Sequence, residues 1–161
     1  MSIIYLSAVS AMLALAGCSA PNSRVVTALN SEASLTGSIP RDPLQWRVIT
    51  SGIDAPNSTM FTLFGNDTAI QYSRTGRNYS HGSALALVTW RQREDSRWFG
   101  AKIPALVKSV EFVDVMISKD GSPANIYRAY QGSPLKETTC LKDHADRRAT
   151  YLLSLRAAVM P

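Results

Sequence analysis

Ser83-Ala84-Leu85-Ala86-Leu87-Val88-Thr89-Trp90 is the stretch that decides the fold. Its apolar residues fall on both alternating faces, so a strand here has to be covered on two sides and belongs in the middle of a sheet. Upstream, Trp46-Arg47-Val48-Ile49-Thr50 and the run from Thr59 to Phe64 read as strands rich in aromatic and β-branched residues, joined through the loop Asp54-Ala55-Pro56-Asn57. Gly65 breaks the second run. Asn66 then caps a short helix reaching about Arg74, with Ala69, Ile70 and Ser73 facing inward and Gly76 ending it.

Downstream of Trp90, Gln92 to Arg97 form a charged connection, followed by Trp98-Phe99-Gly100 and Ile103-Pro104. Val110 to Ser118 reads as the next strand, with Glu111 and Ser118 bounding a mostly apolar run. Lys119-Asp120-Gly121-Ser122 is a hairpin turn, because glycine accepts the positive φ such turns need. Ile126 to Gln131 is the returning strand. Leu141, Ala145, Arg148, Leu152 and Leu155 recur at helical spacing, with His144 and Tyr151 beside them, and predict a closing helix that covers the sheet. The expected fold is α+β: a five-stranded antiparallel sheet covered by two or three helices.

The N-terminus carries a different signal. The first seventeen positions hold no charged side chain, and Ile3 to Leu15 is apolar apart from small serines. That is long enough for the apolar part of a signal peptide and shorter than the roughly 20 residues a spanning helix needs. Leu15-Ala16-Gly17-Cys18 closes it as a bacterial lipobox does: small residues lie extended in the peptidase cleft and the Cys18 thiol accepts the lipid. The expected division is a signal peptide over 1–17, a flexible tether over 18–40 and one domain over 41–161. Ser19 stands where an inner-membrane retention signal would place aspartate, so the outer membrane, on its periplasmic side, is the expected address. No Lys or Arg precedes the apolar run, which leaves open whether Met1 is the true start. Near the domain start, Asp42 can cap a helical turn with Pro43 at its first position.

The chain has 17 Lys and Arg against 12 Asp and Glu, a formal charge of +5. Those cations are scattered, without a basic run interleaved with aromatics, which argues against nucleic-acid binding. With Cys18 committed to lipid, Cys140 is the one cysteine left, so no internal disulfide forms.

Motifs that would carry chemistry are scarce. The sequence holds no G-x-S-x-G elbow, phosphate-binding glycine loop, H-E-x-x-H or paired C-x-x-C. No catalytic residue is assigned. Cys140 and His144 are four apart, which on a helix puts them on one face, where they could share a metal or haem or form a nucleophile–base couple; with no orienting third group or further ligand to name, the expected reading is a half-buried cysteine near the helix start and a histidine packed on the sheet. Trp90, Trp98 and Phe99 are read as core, with a pocket lining as the alternative. The sequons at Asn57, Asn66 and Asn78 are read as turn and capping sequences.

Three of these segments together resemble the cytochrome P-460 family: Trp46-Arg47-Val48-Ile49-Thr50-Ser51, Phe64-Gly65-Asn66-Asp67-Thr68-Ala69 and Tyr79-Ser80-His81-Gly82-Ser83-Ala84-Leu85-Ala86. In the last, Ser80 stands where the family commonly has proline. The resemblance runs from the first strand to Val113 and implies a periplasmic α+β domain with a five-stranded antiparallel sheet, often a homodimer. Its enzymes bind a c-type haem through Cys-x-x-Cys-His near the C-terminus and oxidise hydroxylamine. The nearest match here, Cys140-Leu141-Lys142-Asp143-His144, has one cysteine and one residue too many. The expectation is therefore a haem-free binding or envelope-associated module of this fold. The alternative is a haem-dependent oxidoreductase acting on small nitrogen compounds, with His144 as axial ligand.

Overall fold

The computed structural model describes residues 30–157. Six strands form one antiparallel sheet in sequence order: β1 (Arg47–Asp54), β2 (Thr59–Gly65), β3 (Ala84–Glu94), β4 (Lys102–Ile117), β5 (Pro123–Gln131) and β6 (Lys136–Thr138). Two helices accompany them, α1 (Asp67–Ser73) between β2 and β3, and α2 (Lys142–Ser154) after β6. The α+β class and the antiparallel sheet stand; the strand count is six rather than five. The extra strand, β6, is only three residues long and leaves no alternation to read.

The central strand is covered on both faces. Leu85 and Leu87 of β3 join Ile49, Leu63, Val113 and the helices on one side, hereafter the helix face. Ala86, Val88 and Trp90 join Phe64, Val110, Phe112 and Tyr130 on the other. Two hydrophobic cores therefore share one sheet.

Local chemistry sets α1 as expected. The Asn66 side chain accepts from the Ala69 amide at 2.9 Å, satisfying a donor at the helix start, and also accepts from the Ala84 amide at 3.1 Å. One side chain thus fixes where the helix begins and where β3 begins. Ala69, Ile70 and Ser73 are its buried residues. At Gly65 an added Cβ would sit 2.9 Å from the Cβ of Ala69 in α1 and 2.6 Å from Ile49 Cδ1, so glycine lets α1 lie this close.

The second face is closed by a strap of chain before β1. A turn at Ser31–Ala33, half-buried Leu35 and Ile39, and a turn at Pro43–Gln45 lie across it. The Trp90 indole N–H donates to the Ala33 carbonyl at 2.9 Å. Gly37 and Leu135 form a parallel bridge, where any Cβ on Gly37 would overlap the Leu135 backbone. Residues 30–40, expected to belong to a flexible tether, are therefore pinned to the sheet. The hydrogen bonds that pin them run largely through backbone groups, which side-chain patterning does not report. Asp42 caps the second turn as expected, accepting from the Leu44 amide at 2.9 Å.

Other expectations shift by a few residues. β4 begins at Lys102, absorbing Ile103 and Pro104; the register between Trp90 and Gln92 of β3 shifts there, and such irregular positions tolerate a proline. Trp90 is buried, as a core residue should be, whereas Trp98 is 70% exposed and Phe99 fully so. They stand beyond the last rung of the β3–β4 hairpin, Glu94 to Lys102, and can reach neither core.

Candidate functional site

The helix face is not covered along its whole length. Beside α2 a cleft of about 250 Å³ opens, lined among others by Thr59, Phe61, Leu87, Thr89, Glu111 and Arg148. β4 brings Glu111 to its floor and α2 brings Arg148 over it. Burying an acid inside an apolar strand requires a partner, because a carboxylate taken from water unpaired is costly.

Glu111 has two partners. Arg148 donates from Nε to Oε2 at 2.8 Å and from Nη2 to Oε1 at 2.7 Å, a side-on fork. The Tyr127 hydroxyl of β5 donates to the same Oε2 at 2.6 Å. The Glu111 side chain is 10% exposed and that of Arg148 32%. Burial, then the hydrogen bond to Glu111, pushes the Tyr127 hydroxyl well above its usual range, so it stays a donor rather than a base. Glu111 likewise holds the Arg148 guanidinium in its charged form. Each group is already satisfied by another. The constellation is suited to positioning α2 and presenting a polar floor to a small ligand, and offers no free nucleophile.

The residues singled out from sequence lie elsewhere. Cys18 is outside the described residues. Cys140 precedes α2, whose N-cap is Leu141, so Cys140 and His144 do not share the helical face their spacing predicted. The Cys140 thiol lies 3.9 Å from the Thr138 carbonyl, and His144 is exposed. The inward side of α2 is formed by Ala149 and Leu152, with Arg148 beside them; Leu141 is 84% exposed and Leu155 is the C-cap. Among the described residues no three His, Cys, Asp or Glu side chains gather to hold a metal.

A family model described as Cytochrome P460 matches this chain over residues 40–149. The chain belongs to the cytochrome P460 family. The match extends beyond Val113 through β5, β6 and the first half of α2, so Glu111, Tyr127 and Arg148 all lie within the matched residues. No curated protein is similar enough to add a relative by name.

The P460 family is a family of haem proteins, which makes the fit of these residues to haem a direct question. A c-type attachment takes two thiols and a histidine, and this segment supplies one thiol, off the helix, and an exposed imidazole. Neither Cys140 nor His144 lines the Glu111 cleft or the wider groove of about 480 Å³ beside Tyr79 and Arg156. The Glu111 cleft is smaller than the roughly 300–1,000 Å³ that drug-sized ligands occupy. These residues do not fit a c-type haem.

Sequence reading passed over Glu111 and Tyr127 as functional groups and counted Arg148 only as part of a helix face. A signal was present: a carboxylate in an apolar strand and an arginine at an apolar helical position are two charges that each need the other.

Proposed function

We propose that this P460-family chain works without haem, as a small-ligand-binding module held in the cell envelope by a lipid on Cys18. The observation that carries the reading is the placement of Cys140 ahead of α2 with His144 exposed, while Ala149 and Leu152 of α2 pack directly on the sheet. The polar cleft over Glu111 is the ligand site this reading favours, and its size suits a small molecule better than a macrocycle.

Hemin titration of the purified chain tests this. The proposal expects no saturable Soret band. A saturable band lost in His144→Ala would favour the family's oxidoreductase chemistry on small nitrogen compounds instead. The anchor has its own test by cell fractionation: Cys18→Ser is expected to release the protein from membranes, and unchanged retention would contradict lipidation.

A further inference from the structure

We infer that the tip of the β3–β4 hairpin docks into the bilayer to which the chain is anchored, seating Trp98 and Phe99 among the lipid headgroups. The tip is well formed: Asp95 N–H donates to the Ala101 carbonyl at 2.9 Å and Ala101 N–H to the Trp98 carbonyl at 3.0 Å. Single exposed apolar residues are ordinary on a protein surface. Here two adjacent aromatics occupy the outermost point of a hairpin, one 70% exposed and the other fully so. Tryptophan favours the membrane interface, where its ring is apolar and its N–H stays wet.

Where the chain leaves the fold selects the bilayer as occupant. The first described residue, Asn30, donates to the Pro104 carbonyl at 2.7 Å, and Glu32 pairs with Arg93 at 2.8 Å. Both contacts lie on the flank of this same hairpin, at rungs Gln92–Pro104 and Arg93–Ile103. Along the strands the tip is roughly 20 Å from that flank. The twelve steps from Cys18 to Asn30 span at most about 40 Å. A domain tied at Asn30 to a lipid at Cys18 can therefore bring this tip to the membrane, and the tip belongs to the hairpin on which the tie sits. Charge is compatible: Arg91, Arg93, Arg97 and Lys102 exceed Glu94, Asp95 and the paired Glu32 by one, so the tip carries no net negative charge against anionic headgroups.

This rests on the Cys18 anchor, and the experiment separates the two. The full chain, extracted from membranes, is reconstituted into phosphatidylglycerol-containing vesicles with or without brominated acyl chains, and tryptophan emission is read alongside vesicle flotation. The expected result is quenching by brominated lipid that disappears in Trp98→Ser, since Trp90 is buried and Trp46 half-buried within the fold. Phe99→Ser should weaken the quenching while flotation is kept. A chain that floats through Cys18 without quenching, or with equal quenching in Trp98→Ser, overturns the docking proposal alone. A chain without an acyl group overturns the anchor and this proposal with it. A dimer that Trp98→Ser dissociates, with no quenching in the parent, would assign the tip to a second copy and overturn it too.

Discussion

The two faces of the sheet are closed in parallel ways and to different depths. On each, an arginine from the covering element reaches a carboxylate of β4: Arg148 of α2 to Glu111, and Arg41 of the strap to Asp114. Arg148 uses two nitrogens on two oxygens, whereas Arg41 spans both Asp114 oxygens from Nη2 alone, at 2.7 and 2.8 Å. Glu111 also takes the Tyr127 hydroxyl. Both arginines lie over aromatic rings: Arg41 over Trp46 and Phe112, 5.1 and 5.5 Å from their centres, and Arg148 over Tyr151 at 4.8 Å. The latches differ in depth and in the hydroxyl that Glu111 receives and Asp114 does not. Burial decides which latch the fold depends on.

Removing Arg148 should break that comparison most severely. Arg148→Ala leaves Glu111 buried without its counter-charge, and a loss of about 3 kcal/mol is expected in urea unfolding. Glu111→Ala should cost less, about 2 kcal/mol, because the partly exposed Arg148 can turn to water. Equal losses would deny that Glu111 is the buried member. On the strap face, Gly37→Ala is expected to cost about 2 kcal/mol, since φ is +123° and the Leu135 backbone fills the space. Protease cleavage within 30–40 should rise with it. Arg41→Ala should cost about 1 kcal/mol, the range of a partly exposed pair with a cation–π contact.

The smallest effect depends on pH. The Tyr127 hydroxyl is raised above its ordinary value near 10, so its contribution is fully present below that value. Above it the unfolded chain gives up the proton first, and stability falls as pH rises. Tyr127→Phe should lose about 1 kcal/mol at neutral pH through the missing hydrogen bond and flatten the decline between about pH 9 and pH 11. An unchanged slope would mean that Tyr127 does not couple to Glu111.

What sequence could reveal follows the range of the interactions. Asn66 and α1 were legible because a cap acts over three residues, and β3 because covering on both faces makes both alternating rows apolar. The strap was not, because Gly37, Ser38 and Leu135 meet through backbone atoms nearly a hundred residues apart. The Glu111 constellation joins β4, β5 and α2, and only its unpaired charges hinted at it. Cys140 and His144 part for a simpler reason: helical spacing does not carry across Leu141, the extended N-cap at which the helix begins.

The proposal at the centre is that this P460-family chain works without haem. The most direct test is the absorption spectrum of the protein purified from cells that export it with haem supplied. The account predicts a folded, colourless protein with no Soret band. A Soret band that purifies with the chain and is abolished by Cys140→Ser or His144→Ala would contradict it.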